Sequence, residues 1–259
     1  MSNSKEYDMA RTYITDYIWN IIVLLLPPET GGKGRPCKPH RNILEGIIWR
    51  LRTGAPWRDV PEEFGPWQTI YTRFHRWSRN GLLEPILKAL TNGADTEWIM
   101  IDATVVRAHQ HAAGAKGGQD SQDLGRSRGG FSTKIHAVVD AHGNPLEFDI
   151  TAGQVSDFTM ALPLLEGKTT DAVIADKGYD SDNIRERIKE LDAEPVIPYR
   201  KSRKEPGCFD KHLYGARHAV ENFFAKLKQF RSAAFRYDKT SISFRGMLTL
   251  ACILIWARL

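Results

Sequence analysis

The chain has 259 residues, 42% of them hydrophobic, which suits one or two folded domains and excludes a largely disordered protein. Its net charge of +5 is compatible with a polyanionic partner such as nucleic acid, but does not identify one. Three scattered cysteines disfavour a disulfide framework or zinc ribbon and favour a reducing cytoplasm, and the apolar runs are too short to span a membrane, which needs about 20 residues.

The first ninety residues are predicted to be helical. Apolar residues recur at helical spacing in four segments, 14–26, 40–52, 68–78 and 82–90. The segments between them are rich in glycine and proline, which is typical of turns. Short helices joined by turns allow a helix-turn-helix arrangement. We therefore predict a small all-α DNA-binding domain over residues 1–92.

The pattern changes near Asn92, where strands begin. Residues 109–130 are predicted to be a flexible loop, and a Gly143-Asn144 turn is predicted to join two strands as a hairpin. The predicted elements are strands at 98–106, 133–140, 145–151, 172–175 and 195–198, and helices at 157–166, 181–191, 212–230 and 244–259. Three antiparallel strands followed by alternating helix and strand indicate an α/β fold of the RNase H-like type, a mixed sheet flanked by helices, over residues 93–259.

Two aspartates stand out in the predicted strands. Asp102 interrupts a continuous apolar run, and a buried carboxylate is costly unless it is paired or binds a metal. Asp176 follows the apolar run at 172–175, at the strand end where open α/β sheets place their ligands. Each alone has an ordinary alternative, a strand-end hydrogen-bond acceptor for Asp102 and a turn or helix-cap residue for Asp176.

The helix predicted at 212–230 carries a polar stripe. Tyr214, Arg217, Glu221 and Lys228 fall within about 60° of one another at 100° per residue, opposite an apolar face. A solvated charged face is the usual explanation for such a stripe. Here a single acid stands among two cations and a tyrosine, which favours a metal ligand beside phosphate-binding groups.

Three carboxylates have a chemical reason to converge. Two Mg²⁺ ions, roughly 4 Å apart, can activate an attacking oxygen and stabilise a leaving oxygen in phosphodiester chemistry. Carboxylate oxygens suit Mg²⁺, with Mn²⁺ as a substitute, rather than zinc. We expect Asp102, Asp176 and Glu221 to hold the ions, and Arg217 and Lys228 to contact the DNA backbone.

A resemblance strengthens this interpretation. The spacing Tyr214-x2-Arg217-x3-Glu221-x6-Lys228 matches the Y-(2)-R-(3)-E-(6)-K signature of bacterial insertion-sequence DDE transposases of families four and five. The stretches WIMIDATVVRAHQHAAGAKGG, LGRSRGGFSTKIHAVVDAHGNPLEF and VIADKGYDS also resemble family five, and the N-terminal helical segment is similar to its DNA-binding region. The resemblance covers about residues 15 to 258.

The resemblance implies a function and roles for the residues. It implies a DNA transposase that binds terminal inverted repeats, cleaves them with Mg²⁺ and joins the 3′ end to target DNA, as a homodimer or larger complex in the bacterial cytoplasm, at the nucleoid. The catalytic acids map to Asp102, Asp176 and Glu221. Tyr214, Arg217 and Lys228 map to the supporting positions of the signature.

Two further residues are weaker candidates for DNA contact. Lys177 follows Asp176, where a plain surface lysine is an equal alternative. Arg35 lies in a Gly-Arg-Pro triplet that resembles a minor-groove-binding hook, although an ordinary linker explains it better.

Two other functions remain open at this point. A DNA-binding regulator without catalysis would be expected to have lost its acids, whereas all three are present. A stand-alone RNase H-like nuclease would cleave DNA without strand transfer and without a preference for inverted repeats.

Overall fold

The computed structural model describes residues 13–29, 38–204 and 207–257. The described residues of its N-terminal region form four α-helices, with two short 3₁₀ turns, Trp57–Asp59 and Glu62–Phe64, between the second and the third. The α-helices are α1 (Asp16–Val23), α2 (His40–Thr53), α3 (Trp67–Arg79) and α4 (Glu84–Thr91). Thr15 caps α1 by accepting a hydrogen bond from the Ile18 N–H, and proline precedes both α2 and α3. The predicted helical character of this region is confirmed.

From residue 93 onward, the described residues form a seven-stranded mixed sheet and six α-helices. The strands are β1 (Trp98–Ala108), β2 (Gly125–Ser127), β3 (Gly130–Val139), β4 (Pro145–Ala152), β5 (Ala172–Ala175), β6 (Glu194–Val196) and β7 (Phe235–Arg236). The helices are α5 (Ala161–Leu165), α6 (Asp182–Glu190), α7 (Lys211–Tyr214), α8 (His218–Gln229), α9 (Arg231–Ala234) and α10 (Ser241–Trp256).

The long strand β1 lies at the centre of the sheet. It pairs antiparallel with β3 and parallel with β5 and β7, β6 pairs parallel with β5, and β3 also pairs antiparallel with β2 and β4. The strands β1, β3 and β4 are antiparallel, and strands that follow them in the chain pair parallel at the other side of β1. The order of the hydrophobic runs predicts this arrangement.

Each face of the sheet is covered by its own apolar core. One face, which carries Met100 and Ile174, packs with α1 to α4, α8 and α10. The other face, which carries Ile99 and Val173, packs with α5 and α6. The alternation of side chains along β1 and β5 therefore decides which residues point towards α8. The N-terminal helices share the first core with α10, which is buried along most of its length.

Several predicted elements differ from the structure. The helix predicted over 157–166 is a 3₁₀ turn, Asp157–Met160, followed by the short α5, and α9 and β7 were not predicted. The helix predicted over 212–230 is interrupted, because α7 ends at Tyr214 and a 3₁₀ turn at Gly215–Arg217 precedes α8. Gly215 lies at the break and is a poor helix former. The loop predicted over 109–130 contains β2, since Gly125 to Ser127 pair with Gly130 to Ser132 of β3.

The hairpin between β3 and β4 packs against α8. Gly143 has a φ of +78°, and a Cβ added there would lie 2.8 Å from the carbonyl oxygen of Ala219. We expect Gly143→Ala to lower the free energy of unfolding by about 2–4 kcal/mol, from left-handed backbone strain and overpacking together. Gly167→Ala has a similar φ of +67° but open space around it, so it should lose only about 1–2 kcal/mol. Urea unfolding of both variants tests this, and equal losses would contradict it.

His136 of β3 is a buried histidine without a charged role. It is 0% exposed and its Nε2 lies 2.8 Å from the Thr151 hydroxyl oxygen. Burial lowers its pKa from 6.5 to about 4, with the charge of Asp157 opposing and that of Lys134 assisting. Because the unfolded chain binds this proton near pH 6.5, the folded state loses stability as the pH falls from 6.5 towards 4, by up to about 1.4 kcal/mol per pH unit.

The variant His136→Gln should therefore flatten part of the fall in the free energy of unfolding between pH 6.5 and 4. His142, whose side chain is 71% exposed, provides the control substitution His142→Gln. Unfolding measured across this pH range should separate the two variants. Identical pH profiles for wild type and His136→Gln would show that His136 does not titrate this way.

Candidate active site

Asp102 lies within β1, and Asp176 directly follows β5, the strand that pairs parallel with β1. Ile101 of β1 is in register with Ala175, the last residue of β5, and each aspartate is the next residue along the chain. Adjacent strands lie about 4.8 Å apart, and alternation along β1 turns the Asp102 carboxylate towards Arg217, in the turn that precedes α8. The pairing of β1 with β5 thus brings the two acids to the same end of the sheet, where the charge of each acts on Arg217.

Arg217 connects the first acid to Glu221. Its Nη2 donates to Asp102 Oδ2 at 2.8 Å and its Nη1 donates to Glu221 Oε1 at 2.6 Å. The Asp102 carboxylate is 15% exposed and that of Glu221 is 58% exposed, so the pair spans from the sheet to the surface. The 3₁₀ turn before α8 gives Arg217 this position one turn ahead of Glu221.

In this group, three acids, Asp102, Asp176 and Glu221, surround the single cation of Arg217. Burial raises the pKa of Asp102, and the neighbouring charge of Asp176 raises it further, while the Ala103 N–H and Arg217 oppose the rise. Burial would lower the pKa of Arg217, but Asp102 and Glu221 hold it above its usual value. A site of this kind attracts further positive charge.

The turn after Asp176 is held by the following residues. Asp176 Oδ1 accepts a hydrogen bond of 2.7 Å from the Gly178 N–H, and a Cβ on Gly178 would lie 2.7 Å from that oxygen. Arg200, which follows β6 in the chain, donates to the carbonyl oxygens of Lys177 at 3.1 Å and Gly178 at 2.6 Å. These contacts fix the direction of the Asp176 carboxylate.

Asp180 in the same turn has a structural role. Its carboxylate accepts from Arg185 Nε at 2.9 Å and from the Arg200 N–H at 2.7 Å. Burial favours a higher pKa, but these hydrogen bonds lower the pKa of Asp180 overall. The buried pair with Arg185 therefore anchors α6 to the turn that carries Asp176.

The other predicted DNA contacts lie around this group. Lys228 Nζ donates to Thr104 Oγ1 at 2.7 Å, two residues beyond Asp102 on the same face of β1. Tyr214 ends α7 and packs edge-on against Phe209, with ring centroids 5.6 Å apart. Lys177 is exposed directly after Asp176. Arg35 lies outside the described residues.

The sequence interpretation missed two residues near the acids. Tyr179 is 1% exposed, and its hydroxyl has no hydrogen-bond partner among the described residues. Burial raises its pKa, and the charges of Asp102, Asp157 and Asp176 raise it further. Asp157, which starts a 3₁₀ turn after β4, is thus a fourth carboxylate close to the others. Neither residue could be found from its place in the sequence, because only the folded structure brings Asp157 and Tyr179 close to the other acids.

The carboxylate groups of Asp102, Asp176 and Glu221 are chemically suited to bind a hard divalent cation. Carboxylate oxygens, here from β1, from the residue after β5 and from α8, are the ligands that Mg²⁺ and Mn²⁺ prefer. Within the ranges 13–29, 38–204 and 207–257, no three Asp, Glu, His or Cys side chains are arranged closely enough to hold an ion. The guanidinium of Arg217 lies between Asp102 and Glu221, so an ion held by both carboxylates would have to displace this cationic side chain.

Comparison with known proteins identifies the chain's family. Residues 93–256 match the family described as "Transposase DDE domain". The chain belongs to the DDE transposase family. Residues 14–87 match the family described as "Putative transposase of IS4/5 family", so the chain is a DNA transposase of the bacterial insertion-sequence type. Enzymes of this family generally use divalent metal ions.

Two relatives are similar over about half of the chain. One is the putative transposase for insertion sequence element IS6501 of Brucella ovis, 43% identical over 130 residues, 49% of this chain and 100% of the relative. The other is the putative transposase for insertion sequence element IS402 of Burkholderia cepacia, 32% identical over 135 residues, 48% of this chain and 62% of the relative.

The fold is shared with a solved transposase. A structure described as the piggyBac transposase synaptic complex with hairpin DNA aligns with 95% of this chain and 72% of its own chain, at a TM-score of 0.51 and 11% identity. At this identity the likeness concerns the fold. Together with the mixed sheet and its flanking helices, it confirms the predicted RNase H-like class. No helix in the described part of the chain is long and apolar enough to cross a membrane.

Proposed function

We propose that the transposase cleaves DNA at the terminal inverted repeats of its own element and joins the 3′ ends to target DNA, using Asp102, Asp176 and Glu221. One observation carries the assignment of these residues. The register of β1 with β5 brings two acids to the same end of the sheet, and Arg217 ties the first of them to Glu221.

The three carboxylates are proposed to hold two Mg²⁺ ions, with Mn²⁺ as a substitute. When bound, such ions supply an activated oxygen nucleophile and stabilise the leaving oxygen. The chain's own contribution is position, because Asp102 and Asp176 are fixed by paired strands and the Gly178 N–H orients Asp176. Water serves as the nucleophile in cleavage and the 3′ hydroxyl serves in joining, so no covalent link between protein and DNA is needed.

Arg217 is proposed to bind a DNA phosphate in the working complex. Its two Nη groups are engaged with carboxylates, and its buried Nε–H has no partner among the described residues. A phosphate oxygen would satisfy this donor and take over the guanidinium from the carboxylates. Lys228 and Lys177 would contact the backbone on either side, and Tyr214 would line the same groove.

The assembly around this site is also a proposal. Residues 1–92 would bind the repeats and residues 93–259 would perform the chemistry, with Arg35 as a minor-groove contact. Two DNA ends must be processed together, which favours a homodimer or larger complex on DNA. Because the proposed substrate is the DNA of the bacterial host, the proposed place of action is the bacterial cytoplasm, at the nucleoid.

The test is a reaction of the purified full chain with linear DNA that carries the sequence flanking its gene, together with a supercoiled target plasmid. Mg²⁺ should support cleavage at the repeat end and joining to the plasmid, Mn²⁺ should substitute, and a chelator should abolish both. Cleavage without joining, and without preference for the repeat, would favour a stand-alone nuclease. Binding without any cleavage would favour a regulator.

A further inference from the structure

Helix α3 presents a polar face that no described element covers. Its apolar residues Ile70, Phe74 and Trp77 are each at most 1% exposed. On the opposite side Gln68, Thr72, Arg76 and Arg79 are exposed, and at 100° per residue they fall within about 80° of one another. The helix is therefore divided into a buried anchor and a narrow outward stripe.

The charge of α3 is entirely positive. Residues 67–79 contain three arginines and no aspartate or glutamate. Arg73 is held at the edge of the stripe, where its Nη1 lies 2.6 Å from His40 Nδ1 and its guanidinium lies over the Trp77 ring. By contrast, the exposed charges of α4 are Glu84 and Lys88, which balance. An acid-free helix face complements a polyanion, whereas the face of α4 does not.

The outward stripe is held in a fixed position. The anchor residues of α3 belong to the core that α2 and α10 also build, and Trp57 packs on Phe74 with ring centroids 5.3 Å apart. Gln68, Thr69, Thr72, Arg73 and Arg76 line a shallow depression of about 300 Å³. Side chains that start from a rigid helix lose little further freedom when they bind a partner.

We propose that α3 enters the major groove of the terminal DNA and reads its base edges through Gln68, Thr72 and Arg76, an inference that rests on the proposed binding of the repeats. A helix with its side chains is about 10–12 Å across, and the major groove is about 12 Å wide. Gln can bond an adenine edge in two places and Arg a guanine edge, which matches the two ends of the stripe. Arg79, near the C-terminal end of the helix, would contact phosphate.

The test measures sequence preference separately from affinity and catalysis. Wild-type full-length chain is first used to enrich binding sites from a randomised 30-base-pair duplex pool. Binding of the enriched duplex and of a scrambled duplex is then compared by fluorescence anisotropy for wild type, Arg76→Ala, Arg76→Lys and Gln68→Ala. Lys88→Ala, an exposed cation on α4, is the matched control, and thermal unfolding checks that each variant is folded.

Arg76→Ala and Gln68→Ala should each reduce the ratio of specific to scrambled affinity by about 5- to 100-fold, with Lys88→Ala unchanged. Arg76→Lys should lose the same preference yet keep the salt dependence of wild type, because its charge is retained. Failure of the wild type to enrich any sequence would overturn the inference, as would variants that keep full preference. If α3 instead served as a protein-binding surface, the variants would bind both duplexes like wild type, which also overturns it.

These outcomes are independent of the catalytic proposal. A chain that neither cleaves nor joins DNA, but loses preference with Arg76→Ala, would leave α3 as the reading helix and remove the enzyme function. If the Arg76→Ala variant instead cleaves the repeat normally and keeps its sequence preference, the enzyme function stands and α3 is not the reading helix.

Discussion

Replacing Asp102 with asparagine is expected to lower the rate of DNA cleavage by about 10³-fold or more while DNA binding remains. The substitution keeps the shape of the side chain but removes the charge that a divalent ion needs, and a loss of about 4 kcal/mol of transition-state stabilisation corresponds to this factor. Asp176→Asn and Glu221→Gln should lower the rate of DNA cleavage to the same level. Losses should not add in double variants, since the three acids act as one unit.

Matched controls come from the same elements of the fold. Asp171 is exposed directly before β5, at the opposite end of that strand from Asp176, so Asp171→Asn removes a nearby acid in the chain without touching the site. Glu186 is exposed on α6 and provides Glu186→Gln as the control for Glu221. Both should cleave like wild type in single-turnover assays at saturating protein. An Asp102→Asn variant as active as Asp171→Asn would remove Asp102 from the site.

The second large effect concerns a buried ion pair that joins α2 to the segment after β7. Arg50 Nη1 donates to Asp238 Oδ2 at 3.2 Å and to the Ser232 hydroxyl at 3.1 Å, and the two charged side chains are 4% and 7% exposed. Asp238→Ala leaves the guanidinium buried without its counter-charge. We expect the free energy of unfolding to fall by about 3–5 kcal/mol.

Urea unfolding measures this loss, and an exposed pair serves as the comparison. Arg187 and Glu190 form an ion pair on α6 with side chains 35% and 64% exposed, so Glu190→Ala should cost no more than about 1 kcal/mol. Similar losses for Asp238→Ala and Glu190→Ala would mean that water reaches Arg50 and that the pair does not tie α2 to the rest of the fold.

The sheet could be predicted from the sequence because its strands are strongly patterned. The run around Asp102 is apolar on both sides, and the short run at 172–175 is apolar throughout, as expected for strands covered on both faces. Once two such strands are placed as parallel neighbours, the positions of Asp102 and Asp176 follow from period-two alternation. These local patterns are the reason why the sequence correctly predicted the strands β1 and β5.

The features that sequence could not supply depend on distant contacts. Helical periodicity placed Tyr214 and Glu221 on one continuous helix, but the turn at Gly215–Arg217 interrupts it and sends Arg217 towards Asp102. Tyr179 could be recognised as a residue of the site only in the folded structure, which buries it near acids from three separate segments of the chain. No spacing rule links residues that are brought together only by the folded sheet.

The most direct test of the central claim is metal rescue of a cysteine variant. Asp176→Cys replaces a hard oxygen ligand with a soft thiolate, which binds Mg²⁺ poorly and Mn²⁺ or Zn²⁺ better. If Asp176 holds a catalytic ion, this variant should cleave the repeat end at a background rate in Mg²⁺ and recover measurable cleavage in Mn²⁺, whereas Asp171→Cys should cleave normally in both. Cleavage by Asp176→Cys in Mg²⁺ at the wild-type rate would contradict the assignment of the carboxylate site.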